Sequence, residues 1–232
     1  MSFSKITAEY FPLTDVQKKS LDTIGERLVA TNEVMNLTAI TDEKGVALLH
    51  FYDCLTLLET KLFKDKKIID VGCGGGFPSL PLAACSENCF VTANDSTAKK
   101  LAFVSDCARA AGLHNLETLC GRAEELSVNE KYREKFDIAV SRGVARMNIL
   151  CEWCLPFVKV GGYFVAMKGE KGSEETAEAE NAIKLLGGEL VDIINKAVPE
   201  YDYLHTLVVI KKIKPTPASY PRKNGQIMKK PL

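Results

Sequence analysis

The sequence has few of the features that mark membrane, secreted or fibrous proteins. No run of residues approaches the roughly 18 consecutive apolar positions that a membrane-spanning helix requires. The first residues, MSFSKITAEYF, lack the basic and apolar segments of a secretory signal, so we expect a cytoplasmic protein without membrane contact. Only 16 Gly and 9 Pro are scattered over 232 residues, of which 46% are hydrophobic. Disorder and collagen-like repetition are therefore excluded, and one substantial core is expected.

Histidine is also scarce, which argues against a metal centre. The three histidines lie far apart in the sequence, at His50, His114 and His205. Among the eight cysteines are a C-x-x-C at Cys151 and Cys154 and a closely spaced pair at Cys85 and Cys89. A structural zinc site needs about four ligands in suitable spacing, which these residues do not provide. We therefore predict no metal site and interpret the cysteines as thiols of a reducing compartment.

A net charge of one sign is absent, because 30 basic residues balance 30 acidic ones. The two signs are nevertheless separated along the chain. Residues 211–232 contain no acid and seven basic residues: Lys211, Lys212, Lys214, Arg222, Lys223, Lys229 and Lys230. The rest of the chain therefore carries 23 basic and 30 acidic residues. A basic segment on an acidic body is typical of an arm that contacts a polyanion, although a lysine-rich tail that aids solubility has the same composition.

The order of apolar patterns predicts an α/β fold. Residues 1–62 are helical in pattern, with Thr14 and Asp15 placed to begin one helix and a second helix expected over 42–60. From residue 67 onward, short apolar runs alternate with helical stretches, which is typical of a mainly parallel sheet covered on both faces. The predicted strands are 67–71, 90–94, 116–120, 136–141, 163–168, 189–194 and 205–213, and the predicted helices are 79–86, 97–111, 147–157 and 173–187.

Three regions follow from these patterns. We predict an N-terminal helical extension packed on the core (1–62), a ligand-binding α/β domain (63–213) and a basic C-terminal tail (214–232). The last two predicted strands follow each other without a helix, so an antiparallel pair is expected to finish the sheet. The tail is rich in proline and lysine, and we expect it to be extended or mobile.

The strongest chemical signal is the segment IIDVGCGGGFP at 68–78, where a buried strand runs into a glycine-rich turn and then a helix. Open α/β sheets bind ligands at such strand ends, and glycines let the backbone approach a ligand closely. A dinucleotide-binding loop needs G-x-G-x-x-G, but the third glycine position is Phe77 when counted from Gly72 and Ser79 when counted from Gly74. Asp95 has the spacing of an acid that binds ribose hydroxyls in either class of site.

The acid that precedes the glycines separates the two classes. Asp70-x-Gly72-x-Gly74-x-Gly76 resembles the first motif of class I S-adenosylmethionine-dependent methyltransferases. The resemblance implies that the loop wraps the aminoacyl and ribose parts of S-adenosylmethionine. It also implies that Asp95 accepts hydrogen bonds from both ribose hydroxyls, a role suited to a carboxylate.

Further segments make the resemblance more specific. They are NLT (36–38), HFYDCL (50–55), GFPSLPL (76–82), SRGVA (141–145), WCLP (153–156), GG (161–162), AMKG (166–169) and YPRK (220–223). Together they resemble the RsmG family, also called glucose-inhibited division protein B, over nearly the whole chain. The resemblance implies a Rossmann-like, mainly parallel seven-stranded sheet with an antiparallel last strand. It also implies S-adenosylmethionine-dependent methylation of guanine N7 in bacterial 16S (small-subunit) ribosomal RNA.

The same resemblance suggests site residues. Cofactor contacts are expected from Asp70, Gly72, Gly74, Gly76, Phe77, Asp95, Ala123, Glu124 and Arg142. Ala123 and Glu124 follow the third strand, where this fold contacts adenine. We expect Arg142 to orient the target guanine or to contact the cofactor, because arginine is a typical donor to guanine. A structural salt bridge from Arg142 to an acid such as Asp70 or Asp137 is the alternative.

The expected partner is small-subunit ribosomal RNA or the 30S ribosomal particle, bound by a monomer. Phosphate contacts are expected from Arg146, Arg222, Lys223, Lys229 and Lys230. Because guanine N7 carries a lone pair and no proton, its methylation needs accurate placement rather than a general base. The segment after the fourth strand, SRG at 141–143, accordingly lacks the Asn-Pro-Pro-aromatic motif used on exocyclic amines.

Other functions remain open from the residues alone. A methyltransferase of the same fold could act on a small molecule or a protein, and an RNA-binding assembly factor could share the fold without catalysis. An NAD-dependent oxidoreductase is disfavoured by Phe77, which stands at a required glycine position.

Overall fold

Seven strands form one sheet, which confirms the predicted topology. The computed structural model describes residues 2–86, 88–202 and 204–232. The strands are β1 Lys67–Val71, β2 Phe90–Asp95, β3 Leu116–Cys120, β4 Phe136–Arg142, β5 Val158–Lys168, β6 Gly188–Ala197 and β7 Leu204–Lys212. They lie in the order β3-β2-β1-β4-β5-β7-β6. Among these strands β7 runs antiparallel to both of its neighbours, β5 and β6, and the remaining pairs are parallel.

The helices cover both faces of this sheet. They are α1 Phe3–Ala8, α2 Asp15–Met35, α3 Glu43–Gly45, α4 Asp53–Leu55, α5 Ser79–Cys85, α6 Ala98–Ala110, α7 Ala123–Leu126, α8 Met147–Cys154, α9 Gly172–Glu178, α10 Glu180–Leu185 and α11 Asn224–Lys229. Helices α8 and α10 pack on one face, and α2, α5 and α6 lie on the other. None of the helices in the described ranges is long and apolar enough to cross a membrane.

The central strands are buried because both of their faces are covered. In β1, Ile68 packs with Ile138 of β4 on one side, while Ile69 packs with Ala139 on the other. This double burial explains why both strands are nearly continuous apolar runs in the sequence. Since β1 pairs in parallel with β2 and β4, the carboxyl ends of these strands meet at one edge of the sheet.

The N-terminal region begins its long helix where the sequence predicts. The Thr14 side chain accepts a hydrogen bond from the Gln17 N–H, and the Gln17 side chain accepts one from the Thr14 N–H. This capping box starts α2, which ends at Asn36 with a left-handed φ of 48°. The second predicted helix, over 42–60, is present in several pieces that include a π-helical turn at Val46–Tyr52. Such turns are rare in proteins and are frequent at functional sites.

Strand β5 is longer than the sequence predicts, because its first half contains two glycines that interrupt the apolar pattern. The predicted start is residue 163, whereas the strand begins at Val158. A Cβ atom on Gly162 would lie 2.4 Å from the carbonyl oxygen of Asp137 in β4. Glycine therefore allows β5 to approach β4 where the pairing shifts register between Phe136 and Ile138.

The C-terminal segment corrects the expectation of an extended or mobile tail. The guanidinium of Arg133 donates hydrogen bonds to the carbonyl oxygens of Thr216 and Tyr220. The wholly buried Lys212 donates through Nζ to the Thr216 hydroxyl. Ile227 of α11 is also wholly buried, and α11 packs against α8. The tail therefore folds back onto the domain, because these carbonyl groups and apolar side chains find partners on the body.

Candidate functional site

The carboxyl ends of β1, β2 and β4 open into a cleft of about 500 Å³. This volume lies in the usual range of small-molecule sites. Seven of the nine predicted cofactor residues line the cleft: Gly72, Gly74, Phe77, Asp95, Ala123, Glu124 and Arg142. The structure therefore brings together residues from the ends of four strands and from the glycine-rich turn.

The turn after β1 is held in place by the neighbouring strand. The N–H groups of Gly72 and Cys73 both donate to the carbonyl oxygen of Asn94 at 2.9 Å. Gly72 has a φ of +77°, and a Cβ atom there would lie 2.7 Å from Cγ2 of Val144. A side chain at Gly72 is therefore excluded both by backbone strain and by lack of space.

Asp95 connects two of the turns that surround the cleft. Its Oδ2 accepts a hydrogen bond from the Gly74 N–H at 3.0 Å, and its Oδ1 accepts one from the Thr97 N–H at 2.8 Å. The side chain is only partly buried and lines the cleft. Asp95 thus orders the glycine-rich turn while leaving carboxylate lone pairs toward a ligand.

Asp70 and Gly76 do not reach the surface of the cleft. Asp70 is wholly buried behind the turn, where its Oδ2 accepts hydrogen bonds from the Ser79 N–H at 3.0 Å and the Ser79 hydroxyl at 2.5 Å. Its Oδ1 has no hydrogen-bond partner within the described parts of the chain. Burial raises the pKa of Asp70 to about 7, although the hydrogen bonds from Ser79 oppose this shift. Asp70 therefore supports the start of α5 and the turn from behind.

Two buried polar atoms at the β3 end of the cleft lack partners. Glu124 is 7% exposed, and its Oε1 accepts no hydrogen bond from the residues that the structure describes. The indole Nε1 of Trp153 is likewise buried without a partner there. Both residues line the cleft together with Ala123. Because unsatisfied buried polar groups are rare, this acceptor and this donor are candidates to pair with a ligand of the cleft.

At the opposite end, Arg142 is fixed by the N-terminal region. Its Nη1 donates to the Leu49 carbonyl oxygen and to Oδ2 of Asp53, both at 3.0 Å, and its Nη2 donates to Nδ1 of His50 at 3.1 Å. The guanidinium also lies over the ring of Phe77, 5.4 Å from its centroid. Arg142 lines the cleft, as predicted, but its acidic partner is Asp53.

The alternative partners expected for Arg142 are engaged elsewhere. Asp70 accepts its hydrogen bonds from Ser79. Asp137 forms a salt bridge with Lys159 and accepts a hydrogen bond from the Lys67 N–H. The structural salt bridge named as the alternative is thus present, but its acid is Asp53 rather than Asp70 or Asp137.

Comparison with known proteins identifies the family. The family model for rRNA small subunit methyltransferase G matches residues 17–201. The chain belongs to this family. Ribosomal RNA small subunit methyltransferase G of Lactobacillus johnsonii is 46% identical over 99% of this chain and 98% of its own length. The protein of the same name from Alkaliphilus oremlandii is 45% identical over 95% of this chain and 92% of its own length.

Solved structures support the fold. A SAM-dependent methyltransferase from Aquifex aeolicus aligns with a TM-score of 0.54 and 19% identity, covering 73% of this chain and 93% of that one. At this identity the likeness concerns the fold alone.

The predicted RNA-binding residues differ in whether their charges are paired with acids of the protein. Arg222 donates through Nε and Nη2 to the carboxylate of Glu152, so its charge is paired inside the fold. Arg146 forms a salt bridge with Glu178 at the surface. The side chains of Lys223, Lys229 and Lys230 are exposed. The geometry thus gives Arg222 a structural contact and leaves the three lysines at the surface.

The cysteine pairs lie in the core. Cys151 and Cys154 are buried free thiols, and burial raises the pKa of each well above its ordinary value. Cys85 and Cys89 are also buried and free. These thiols pack as small apolar side chains.

Several cleft residues that belong to the N-terminal region or α8 were not assigned to the site from the sequence. They are Leu37, Thr38, His50 and Trp153. The NLT, HFYDCL and WCLP segments that contain them carry the family resemblance, and this was the available signal. Periodicity could not assign them a place in the cleft, because their position depends on how the N-terminal region and α8 pack against the turns.

Proposed function

We propose that the protein transfers a methyl group from S-adenosylmethionine to N7 of a guanine in small-subunit ribosomal RNA. The observation that carries the proposal is the cleft itself. It combines a glycine-rich turn tied to Asp95 with the unpartnered buried atoms of Glu124 and Trp153, in a chain of the rRNA small subunit methyltransferase G family.

The residues of the cleft fit this cofactor. Asp95 offers a carboxylate to the vicinal ribose hydroxyls, and the turn at Gly72–Gly74 leaves room for the aminoacyl part. Adenine has both a donor, its amino group, and ring acceptors, which suit the Glu124 carboxylate and the Trp153 indole N–H respectively. When bound, S-adenosylmethionine supplies a methyl group on a positively charged sulfur.

The chemistry of N7 agrees with the groups that border the cleft. His50 is one of them, but its Nδ1 accepts from Arg142, and burial together with the charge of Arg142 lowers its pKa to about 3. This imidazole is therefore neutral and already engaged, so it is not available as a general base. N7 needs none, because its lone pair lies in the ring plane and carries no proton. The protein's contribution is to place N7 in line with the methyl group.

Arg142 is suited to orient the target base. Its guanidinium lines the cleft and is held in place by a hydrogen bond to Asp53. Guanine O6 is a good acceptor for arginine N–H groups. A hydrogen bond to N7 itself would occupy the lone pair that must react, so we propose contact with O6, with a phosphate or with the cofactor. The base must leave its stack or lie in an accessible loop to reach this position.

The experiment that tests the function is methyl transfer from labelled S-adenosylmethionine to small ribosomal subunits from cells that lack this protein. Nucleoside analysis is expected to find the label in 7-methylguanosine. Label in another nucleoside would overturn the assignment of N7 as the methylated atom, but it would still support S-adenosylmethionine as the cofactor. We expect assembled or partly assembled particles to be better substrates than protein-free rRNA, because residues 1–210 contain 30 acidic and only 23 basic residues. Equal rates on both substrates would contradict this.

Replacing Asp95 by asparagine is expected to weaken S-adenosylmethionine binding by about tenfold, because one charge-assisted hydrogen bond is lost. An amide keeps only one acceptor oxygen for the contacts to Gly74, Thr97 and the ribose. Isothermal titration calorimetry measures the dissociation constant. Asp106→Asn is the matched control, since Asp106 lies on the exposed side of α6 and pairs with Arg109. An unchanged affinity in the Asp95 variant would argue against ribose recognition by this carboxylate.

Exchanging the three exposed lysines of the C-terminal segment, Lys223, Lys229 and Lys230, for glutamine is expected to lower kcat/KM on 30S particles by roughly tenfold at low salt. The logarithmic dependence of kcat/KM on salt should become shallower by about three units, one for each lost phosphate contact. Glutamine at three other exposed lysines, Lys19, Lys61 and Lys135, makes the same change in net charge. Equal effects of both triple variants would favour general charge over contacts by this segment.

We also propose that the protein works as a monomer in the cytoplasm. The eight cysteines are all unpaired in the structure, which supports a reducing compartment. Sedimentation equilibrium at micromolar concentration is expected to give the mass of one chain, 25.5 kDa. A mass of twice this value would contradict the monomer.

A further inference from the structure

A polar cluster around the wholly buried Asp53 borders the cleft on the side of the N-terminal region. It consists of Thr38, His50, Asp53, Arg142 and His205. Its members come from three distant parts of the chain, since the first three precede the glycine-rich turn and the last lies in β7. Charged and polar side chains are uncommon in a core, so a cluster of this kind requires a reason.

Asp53 is the centre of the cluster. The residue is wholly buried, and its Oδ2 accepts from Nη1 of Arg142 at 3.0 Å while its Oδ1 accepts from Nδ1 of His205. Desolvating a carboxylate and a guanidinium is expensive, and apolar side chains of similar volume are often as stable in such places. The pair is therefore poorly explained by stability alone.

The hydrogen bonds of His50 assign its tautomer. Nη2 of Arg142 has only protons to offer, so Nδ1 of His50 must be the acceptor of that 3.1 Å contact. The proton of the imidazole then lies on Nε2, which donates to the Thr38 hydroxyl at 2.8 Å. The lowered pKa of His50 agrees with this neutral form. His50 thus accepts from Arg142 because Thr38 accepts from His50.

Thr38 is itself immobilised by the end of α2. The side chain of Asn32 accepts a hydrogen bond from the Thr38 N–H at 2.8 Å and donates one to the Thr38 carbonyl oxygen at 2.9 Å. The Thr38 hydroxyl also accepts from the Ile40 N–H at 3.0 Å. The NLT segment is therefore a rigid support for His50.

These contacts leave part of the Arg142 guanidinium available. Within the described ranges, its partners Leu49, Asp53 and His50 use three of the five N–H groups. The Nε–H and the second Nη2 proton are the ones that remain. The plane of the group is set by Phe77, whose ring stacks on His50 with centroids 4.7 Å apart. Of the ion pair, Asp53 is wholly inaccessible, whereas the Arg142 side chain is 18% exposed and lines the cleft.

We propose that Asp53 and His50 are positioning residues that act on methyl transfer only through Arg142. Asp53 fixes Nη1 and His50 fixes Nη2, so that the remaining donors of Arg142 point to one place in the cleft when the target base arrives. The inference rests on the proposed function and adds the N-terminal helical region to the machinery of the reaction. Pre-orientation of this kind matters because a misplacement of about 1 Å costs on the order of 100-fold in rate.

A double-mutant cycle tests this dependence. The variants are Asp53→Asn, Arg142→Met and the combination of both, each assayed for kcat and KM on 30S particles that lack the modification. Each single change is expected to lower kcat by roughly 10- to 100-fold. The double variant is expected to be no slower than Arg142→Met, because Asp53 has nothing left to position. Affinity for S-adenosylmethionine, measured by calorimetry, should likewise be no weaker in the double variant than in Arg142→Met, because any contact of Arg142 with the cofactor is already lost there.

A second pair of variants does not depend on the buried charge. His50→Gln keeps an acceptor for Arg142 and a donor for Thr38, whereas His50→Phe keeps the stacking on Phe77 and loses both hydrogen bonds. The glutamine variant is expected to retain most of kcat, and the phenylalanine variant to lose roughly tenfold or more. His114→Phe at the exposed His114 is the control for the substitution itself. Thermal denaturation of every variant separates loss of folding from loss of rate.

The outcomes distinguish failure of the positioning role from failure of the proposed function. Effects of Asp53→Asn and Arg142→Met that multiply in the double variant would overturn the positioning role, as would equal activity of the two His50 variants. No methyl transfer by the unaltered protein would overturn the proposed function itself. If Asp53→Asn fails to fold, the His50 pair still decides, because the variant that keeps the hydrogen bonds is the one that loses the stacking on Phe77.

Discussion

Replacing Arg222 by alanine is expected to lower the free energy of unfolding by about 3–5 kcal/mol, because it leaves the buried carboxylate of Glu152 without its partner. Glu152 of α8 is wholly buried. Arg222 donates to it from the backbone N–H at 2.7 Å, from Nε at 2.9 Å and from Nη2 at 2.6 Å. Alanine keeps the backbone contact and removes the positive charge.

Urea denaturation followed by circular dichroism measures this loss. Lys223→Ala is the matched control in the next position, where the side chain is exposed and a change within about 0.5 kcal/mol is expected. Combining Arg222→Met with Glu152→Leu should restore most of the stability, since neither charge then remains buried. Equal stability of the Arg222 and Lys223 variants would show that the ion pair does not hold the C-terminal segment.

Loss of this ion pair is also expected to affect the cleft. Glu152 is adjacent to Trp153, which lines the cleft and which we propose to contact adenine. We therefore expect Arg222→Ala to weaken S-adenosylmethionine binding in addition to stability. The three-lysine variant, by contrast, should change RNA binding without changing cofactor affinity.

Replacing Asp70 by asparagine is expected to change how stability depends on pH. Burial raises the pKa of Asp70 to about 7 in the folded protein, against an ordinary value of 3.8. The folded protein therefore keeps a proton that the unfolded chain has already lost. The contribution of Asp70 to the free energy of unfolding is fully present below about pH 4, and it is lost as the pH rises through 7. Relative to Asp70→Asn, the unaltered protein should lose about 2–3 kcal/mol between pH 5 and pH 8.

Chemical denaturation of both proteins at several pH values measures this difference, and groups that titrate alike in both cancel. Asp106→Asn serves as the control, because Asp106 is exposed and a flat difference is expected. Asp70→Asn should also weaken S-adenosylmethionine binding less than Asp95→Asn does, since Asp70 lies behind the turn and outside the cleft lining. A larger loss of affinity would show that Asp70 contacts the cofactor after all.

Local patterns in the sequence were sufficient for the secondary structure and for much of the cleft. The predicted strands 67–71 and 116–120 coincide with β1 and β3, and the predicted helix 97–111 differs from α6 by one residue at each end. These elements are predictable because burial on a sheet or helix face imposes a period on neighbouring residues. The glycine-rich turn is equally local, since positive φ values require glycine at particular positions.

Contacts between residues far apart in the sequence could not be predicted from local patterns. The partner of Arg142 is 89 positions away, at Asp53, and the partner of Arg222 is 70 positions away, at Glu152. Many acids in the sequence are compatible with either arginine, and only the packing of the N-terminal region and of α11 selects one. The placement of Asp70 could not be predicted either, because its spacing in the sequence is that of a ligand-binding residue but its side chain lies behind the turn.

The class of fold, the glycine-rich turn and the family could therefore be predicted from the sequence, because each depends on residues close together in the chain or on an ordered set of motifs. The tertiary structure alone decided which charges are free to meet a ligand and which are consumed in the fold. It directs the Arg142 guanidinium to the cleft and pairs Arg222 with Glu152. The physical reason is that the environment of a charge depends on what packs around it, and that packing brings together segments far apart in the sequence.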